Sequence, residues 1–363
     1  MNQIFMLIMA AGAIVGGFDR IRGNCWGYGA KFEEGFQLLG STALSMAGMI
    51  CLAPVLADIL GKAVIPFYRM IGVDPGMFGS LLAIDMGGYQ LAKELAVDAQ
   101  IGTYAGIVVS SIFGCTVVFT IPVGMGMIQE EDRGCFARGI MLGLAAMPVG
   151  LTVGGILAGL SLPVCIWQNL PVFVMALLLL LGLWKIPERM IRGFCIFAKG
   201  IHFIITIGLV LGAVEYLCGV QVVEGMTPLT EAMEVVTAIG IVMLGSLPVT
   251  EFLQRILKEP FEILGKRLGI NPTGMTGLLV GTVSAIPALS MYHDMDERGK
   301  TVNAAFLVST ASMFAAHMGF TFSTQPQLLG ALIGAKLSGG AAAVLVVLMI
   351  EIAFRRKNGY TIS

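Results

Sequence analysis

The sequence predicts an all-α polytopic membrane protein with about nine to eleven transmembrane helices. Charged residues make up 12% of the chain and apolar residues 56%, whereas a soluble domain carries about a quarter charged residues. The apolar stretches have the length of membrane-crossing helices, and they lack the short alternating pattern of a transmembrane β-barrel. Most of the protein surface is therefore expected to face lipid.

Hydropathy divides the chain into eleven apolar segments, at residues 2–18, 36–60, 76–92, 102–128, 139–161, 165–184, 194–219, 233–252, 273–292, 302–322 and 328–354. The third and ninth segments differ from the others because helix-breaking residues lie in their middle, Gly87 and Gly88 in one and Pro287 in the other. Such residues interrupt the hydrogen-bond ladder of a helix. We predict that both segments are broken helices or re-entrant hairpins.

The first segment and two amphipathic stretches need separate interpretations. Segment one has neither a basic flank nor a small-residue cleavage site, so we expect a retained helix rather than a signal peptide. Residues 58–71 and 251–268 carry charges on one face and apolar residues on the other. These two stretches either lie in the membrane interface or extend the preceding helices into water.

Short motifs recur in the same order in the two halves of the chain. The pairs are Pro54-x11-Pro66 with Pro248-x11-Pro260, the glycine-rich runs at 76–82 and 274–280, the Val-Ser-Ser and Val-Ser-Thr runs at 109–111 and 308–310, and the Phe-Thr pairs at 119–120 and 320–321. Matches in one order indicate an internal duplication. We therefore divide the chain into a first repeat at 1–162, a linker helix at 163–192 and a second repeat at 193–363.

The positions of lysine and arginine predict the membrane topology. These residues concentrate at 185–199, 255–267 and 355–357. If all eleven segments cross, the stretch after segment eight and the tail fall on opposite sides, whereas all three stretches fall on the cytoplasmic side if segments three and nine re-enter the membrane. The second repeat is then inverted relative to the first. Inverted repeats with broken helices are typical of transporters, whose solute site lies near the membrane midplane.

The break in segment three contains the strongest candidate for a functional residue, Asp85. An ionised carboxylate in hydrocarbon costs several kcal/mol, so it is paired, protonated or in contact with a wet cavity. Asp85 either binds a cationic solute, helped by unwound carbonyls around Gly87 and Gly88, or caps the second half-helix. Tyr89, one turn on, either offers its ring face to an alkylammonium or serves as a packing residue.

Segment ten and the break in segment nine supply the other candidates. Asn303, Thr310 and His317 follow one another at seven-residue spacing, which places them on one helix face. A polar stripe of this kind either lines a wet path or holds helices together. His317 is either a pH-sensitive gate or a structural histidine. Ser284 lies at the second break, and Gln325 offers an amide to a hydroxyl group at the mouth of the path.

Several classes of function find no support in the sequence. It contains no Walker loop, no metal-spaced cluster of histidine and cysteine and no nucleophile–base set, so we expect neither an enzyme nor a cofactor or metal. No basic stripe suggests a nucleic-acid partner. The seven cysteines are scattered and are expected to pack in helices.

Four stretches resemble the EutH family of ethanolamine permeases, and the resemblance extends over nearly the whole chain. They are Phe-Glu-Glu-Gly-Phe at 32–36, Leu-Ala-Pro-Val-Leu-Ala at 52–57, Asp-Met-Gly-Gly-Tyr-Gln-Leu-Ala-Lys-Glu-Leu-Ala at 85–96 and Phe-Thr-Ile-Pro-Val at 119–123. The chain departs from the family at Ser284 and Ala285, where an Asn pair is usual, and at Ala316, where an acid is usual. The resemblance implies that a multi-pass protein of the bacterial inner membrane passes protonated ethanolamine to the cytoplasm for ethanolamine utilisation.

Three hypotheses for function remain open on these observations. The first is facilitated diffusion of protonated ethanolamine through a channel or uniporter. The second is an ion-coupled secondary transporter of another small amine or polar metabolite. The third, a membrane sensor or scaffold, is disfavoured because the chain has no sizeable soluble part that would relay a signal. Besides the amine and the lipid bilayer, a second copy of the chain is a compatible partner, since symmetric oligomers are common.

Overall fold

The computed structural model describes residues 2–82 and 85–357. The end of the predicted second repeat, 358–363, lies outside the described residues. Every regular element in the described part is helical, which confirms the predicted all-α class.

Seventeen α-helices follow one another along the described chain. They are α1 Asn2–Ile21, α2 Tyr28–Gln37, α3 Leu39–Met70, α4 Gly76–Leu81, α5 Gly88–Leu95, α6 Ala99–Tyr104, α7 Ile121–Met127, α8 Arg133–Leu157, α9 Leu162–Gln168, α10 Leu170–Lys185, α11 Pro187–Cys218, α12 Leu229–Leu268, α13 Pro272–Gly281, α14 Ala285–Ser290, α15 Glu297–Thr310, α16 Met318–Thr324 and α17 Leu329–Lys357. Short 3-10 turns occur at Asp85–Gly87, Glu130–Asp132, Tyr292–Asp294 and Pro326–Leu328. Stretches of π-helix occur at Ala105–Gly114, Thr116–Thr120 and Met313–His317.

Seven described helical stretches are long and apolar enough to cross a bilayer. They are Tyr28–Met70, Ala99–Met127, Glu130–Leu157, Pro187–Cys218, Leu229–Leu268, Glu297–Thr324 and Pro326–Glu351. The bent pair α9 and α10, with an angle of 50° between them, makes an eighth if it counts as one span. The predicted nine to eleven spans exceed this number because segments three and nine contain only short helices, and because α1 lies outside this set.

The two amphipathic stretches continue the spanning helices. Residues 58–70 form the end of α3, and residues 251–268 form the end of α12. Each stretch therefore continues the preceding helix without a break, and its place relative to the membrane and water stays a prediction.

The third segment forms a first hairpin, described at residues 74–82 and 85–98, with α4 and α5 as its two arms. Oδ2 of Asp74 accepts hydrogen bonds from the backbone nitrogens of Val97 at 3.1 Å and Asp98 at 2.8 Å, so the two ends of the hairpin meet. A Cβ added to Gly79 would lie 2.5 Å from the backbone nitrogen of Ala92, which shows how closely the arms pack. The chain enters and leaves this hairpin at one place.

The ninth segment forms a second hairpin, residues 271–296, built on the same plan from α13 and α14. The backbone nitrogen of Asn271 donates to Oδ1 of Asp296 at 2.9 Å, and its Nδ2 donates to the carbonyl oxygen of Asp294 at 2.9 Å. Asn271 occupies the place in its Gly-Ile-Asn-Pro motif that Asp74 has in Gly-Val-Asp-Pro. Equivalent residues therefore close the two hairpins. The inverted orientation of the repeats stays a prediction.

Segments four and ten are also irregular, which the sequence does not predict. Segment four is π-helical over much of its length. In segment ten, α15 ends at Thr310 and Ser312 has a left-handed backbone with φ of 55°. The backbone nitrogens of Ser312 and Phe314 donate to the carbonyl oxygens of Gly281 and Thr282 at the tip of the second hairpin, at 3.3 and 2.9 Å. The break in segment ten is thus held by that tip.

Helices α8, α15 and α17 pack together through small residues. A Cβ on Gly150 of α8 would lie 2.9 Å from the Cα of Gly339 in α17, and one on Gly143 would lie 2.5 Å from the carbonyl oxygen of Ala305 in α15. Small residues allow such close approach of helices in lipid. This packing places α17 beside the irregular parts of segments four and ten.

Candidate functional site

Asp85 lies at the tip of the first hairpin and contacts the second repeat. Its Oδ1 lies 2.8 Å from Nε2 of His317, which is 232 residues away in the chain. The Asp85 backbone is left-handed, with φ of 54°, a conformation that non-glycine residues rarely adopt. The N-cap of α5 is Gly87, and no side chain caps that helix. The alternative that Asp85 caps the second half-helix is therefore wrong.

The contacts of His317 show how many protons lie between Asp85 and His317. Nδ1 of His317 lies 3.0 Å from the carbonyl oxygen of Ala311, which only accepts, so Nδ1 must hold a proton. Nε2 is then a donor in the imidazolium and an acceptor in the neutral ring. The contact with Asp85 requires one proton between the two groups, either as imidazolium with carboxylate or as imidazole with carboxylic acid. In both forms Asp85 and His317 share one proton.

A small cavity reaches the carboxylate of Asp85. It has a volume of about 60 Å³, large enough for a few water molecules. The cavity is lined by Ser45, Met46, Asp85, Met86, Gly87, Val118, Phe119, Ile201, His202 and Ile205. The side chain of Asp85 keeps 23% of its surface exposed, whereas that of His317 keeps 2%. Of the three alternatives for a carboxylate in an apolar segment, Asp85 thus has a polar partner and also lines a cavity.

Tyr89 and Gln325, which lie in different repeats, meet beside the hairpin tip. Nε2 of Gln325 donates to the hydroxyl of Tyr89 at 2.8 Å, and Nε2 of Gln327 donates to Oε1 of Gln325. The ring of Tyr89 packs edge-on against Phe320, with centroids 5.5 Å apart. A Cβ on Gly88 would lie 3.0 Å from Oγ of Ser110 and from the carbonyl oxygen of Gly79, so these neighbours would have to shift slightly. Five predicted site residues are therefore grouped around the tip with Asp85, namely Gly87, Gly88, Tyr89, His317 and Gln325.

Three other predicted site residues have different surroundings. Nδ2 of Asn303 donates to the carbonyl oxygens of Gly274 and Gly299, both at 2.8 Å, and so ties α13 to α15. Oγ1 of Thr310 donates within its own helix, and Ser284 stands at the N-cap of α14 without a capping bond from its side chain. A contact of these three residues with the solute stays a prediction.

The prediction that Asn303, Thr310 and His317 share one helix face is wrong. The break at Ala311 and Ser312 ends α15 after Thr310, and His317 belongs to the π-helical stretch that follows. Seven-residue spacing places residues on one face only while the helix is continuous.

Lys336 is a buried functional candidate that the sequence interpretation overlooked. It lies in α17 and is fully buried. Its Nζ contacts three backbone carbonyl oxygens, those of Ser111 at 2.8 Å, Ala311 at 3.1 Å and Ser309 at 3.2 Å. The criterion that identified Asp85, a charged residue inside an apolar segment, applies equally to Lys336 and would have found it.

A group of potential metal ligands also forms at the tip. The ligand atoms of Asp85, Cys115 and His317 all lie within 4.8 Å of one another. Carboxylate, thiolate and imidazole are ligands of zinc. However, Asp85 and His317 already satisfy each other, and Lys336 brings a positive charge to the carbonyl that His317 also contacts. These contacts occupy the carboxylate and the imidazole and place a positive charge nearby, and both features weaken the binding of a divalent cation.

Comparison with known proteins adds independent information. The family model of EutH, ethanolamine utilisation protein, matches residues 1–350. A probable ethanolamine permease EutH of Listeria monocytogenes serotype 1/2a is 42% identical over 359 residues, which cover 98% of this chain and 96% of that protein. The uncharacterized protein YxeR of Bacillus subtilis is 38% identical over 364 residues, which cover 100% and 98%. A probable ethanolamine permease EutH of Salmonella typhimurium is 38% identical over 380 residues, covering 96% and 93%. No solved structure matches the chain.

Proposed function

Since the chain belongs to the EutH family of ethanolamine utilisation proteins and is a multi-pass bacterial membrane protein, we propose that it carries protonated ethanolamine into the cytoplasm by facilitated diffusion, as a channel or uniporter. Two relatives are named probable ethanolamine permease, and these names support ethanolamine as the substrate. A permease family also favours transport over catalysis.

The observation that carries the proposal is the carboxylate of Asp85 at a hairpin tip beside a cavity. Ethanolamine is mostly protonated at neutral pH because its pKa is not far below that of lysine. Its ammonium needs an anionic partner in the low dielectric of the membrane interior. Asp85 supplies that partner when the ammonium takes the place of the hydrogen bond from His317.

The hydroxyl end of ethanolamine has a second set of candidate partners. Tyr89 stands one turn after Asp85 and holds the amide of Gln325 by a hydrogen bond. The amide oxygen and the phenol are groups that exchange hydrogen bonds with a hydroxyl. The ring face of Tyr89 suits an alkylammonium. The charged and polar ends of the solute would then be recognised by different residues.

The second hypothesis, a transporter coupled to an ion, has one observation in its favour. Asp85 and His317 share a proton, and a proton at the solute site is what a proton-coupled transporter requires. The two mechanisms differ in energetics, because only a coupled transporter concentrates its solute against a gradient.

The test is flux into proteoliposomes that contain the purified protein. Uptake of labelled ethanolamine is measured at acidic pH, where little of the neutral amine is left to leak through lipid, and liposomes without protein give the remaining leak. We expect uptake that stops at equal concentrations inside and outside, with or without an imposed gradient of Na⁺ or H⁺. Accumulation above equality under a gradient would instead establish the coupled transporter. Uptake no faster than in empty liposomes would refute both.

A further inference from the structure

Lys336 holds an ammonium group in the interior of the membrane. Three carbonyl oxygens lie within 3.2 Å of its Nζ, and each needs a hydrogen to accept. A neutral amine has two hydrogens and an ammonium has three. All three contacts are satisfied only by the charged form. Lys336 also lies ten residues after Pro326, where the membrane-crossing stretch Pro326–Glu351 begins. Ten residues of helix are about 15 Å long, which is half the thickness of the hydrocarbon core.

The carbonyls around this ammonium come from both repeats. Ser111 belongs to the Val-Ser-Ser run of the first repeat, and Ser309 belongs to the matching Val-Ser-Thr run of the second. Ser111 lies in the π-helix of segment four, and Ala311 lies in the break of segment ten. Irregular backbone of this kind leaves carbonyl oxygens without a helical partner. The three oxygens therefore form a cation site where the two irregular segments meet, which we name the carbonyl cage.

In transporters with broken helices, carbonyls of unwound backbone coordinate a coupling Na⁺. Here the carbonyl cage is filled by an ammonium that belongs to the chain itself. We propose that Lys336 is a built-in cation that occupies a monovalent-cation site, so that transport requires no free Na⁺ or K⁺. This inference rests on the proposed function only in using ethanolamine flux as one of its two measurements.

The cage is connected to the solute site through one atom. The carbonyl oxygen of Ala311 accepts from Nζ of Lys336 at 3.1 Å and lies 3.0 Å from Nδ1 of His317. His317 in turn holds Asp85. A cation in the cage fixes this carbonyl and thereby the imidazole, so Lys336 acts as a positioning residue for the solute site.

The first experiment compares Lys336→Ala with the wild type in proteoliposomes. Uptake of labelled ethanolamine is measured with Na⁺, K⁺, methylammonium or the bulky cation N-methyl-D-glucamine as the only added cation. The wild type is expected to transport equally with Na⁺, K⁺ and the bulky cation. Lys336→Ala should lose about tenfold in the bulky cation, because three carbonyls lose their donor, and should regain activity with Na⁺ or methylammonium. Lys336→Met, whose side chain fills the space without a donor, should lose activity without regaining it.

The second experiment needs no transport. The melting temperature of each purified protein is measured in detergent with the same cations. Na⁺ or methylammonium should raise the melting temperature of Lys336→Ala more than that of the wild type, because a ligand that binds only the folded state stabilises it. Lys336→Gln keeps two donors for the cage and provides a second variant if Lys336→Ala does not fold.

The two measurements separate the failure of this inference from that of the proposed function. A wild type without ethanolamine flux refutes the proposed function, while the melting temperatures still test the cage. Full activity of Lys336→Ala or Lys336→Met in the bulky cation would overturn the inference. So would a folded Lys336→Ala protein whose melting temperature and flux respond to no cation. Flux of the wild type that depends on Na⁺ would overturn it as well.

Discussion

Replacement of Asp85 by asparagine removes a charge from the hairpin tip while it keeps the size of the side chain. The amide still offers an oxygen to Nε2 of His317, so the hairpin should keep its contact with the second repeat. What is lost is the charge-assisted hydrogen bond to the solute, and a hydrogen bond to a charged group is worth about 1.5–3 kcal/mol. At 1.36 kcal/mol for each factor of ten, this corresponds to a loss of roughly 10- to 150-fold in affinity.

The assay is the uptake of labelled ethanolamine into proteoliposomes at acidic pH, as a function of its concentration. We expect Asp85→Asn to raise the half-saturating concentration by the factor above. Asp58→Asn is the matched control, because Asp58 is 75% exposed in its pair with Lys62 and exposed pairs contribute little. A half-saturating concentration of Asp85→Asn equal to that of Asp58→Asn would refute the role of the carboxylate, provided that both proteins have the melting temperature of the wild type.

Three other predictions concern the hydroxyl end of the solute, the packing of the first hairpin and a residue with a structural role. Tyr89→Phe removes the hydroxyl that accepts from Gln325 and should raise the half-saturating concentration of ethanolamine roughly two- to tenfold. Competition by ethylamine, which has no hydroxyl, should stay unchanged. An equal effect on both amines would contradict hydroxyl recognition. Gly79→Ala should lower the free energy of unfolding by about 1–3 kcal/mol through overpacking. The control is Gly200→Ala, which should not destabilise the protein because the space around its Cβ is open. Melting temperatures in detergent measure the difference, and equal melting temperatures of the two variants would count against the tight packing of the hairpin. Asn303→Ala removes two hydrogen bonds and should cost about 1–3 kcal/mol of stability; ethanolamine uptake measures its other effect, since a raised half-saturating concentration would show that Asn303 contacts the solute.

The parts of the fold that follow local rules were predictable from the sequence. The apolar segments correspond to the helices because length and hydropathy decide which parts of a chain enter a membrane. The hairpins were predictable at Gly87, Gly88 and Pro287, because these residue types break helices wherever they occur. Asp85 stood out for a similar reason, since a carboxylate in an apolar run requires a partner.

The parts that depend on contacts between distant segments were not predictable. The break at Ala311 and Ser312 contains neither glycine nor proline, and it exists because the second hairpin and Lys336 bind its free backbone groups. For the same reason, the even spacing of Asn303, Thr310 and His317 was misleading. The sequence contains no sign that His317 is the partner of Asp85, because the two residues meet only in the folded chain.

The proton shared by Asp85 and His317 has a consequence for the electrical balance in the interior of the protein. In either form of the pair the charges of Asp85 and His317 sum to zero, and the ammonium of Lys336 adds one positive charge. An amine that enters while the proton stays would bring the sum to two positive charges, and each extra ion out of water costs several kcal/mol. An amine that enters as the proton leaves keeps the sum at one. The charge at the centre of the protein thus distinguishes the two mechanisms: it stays constant if a proton is exchanged for each amine, as in the coupled transporter, and it rises by one with each bound amine in facilitated diffusion.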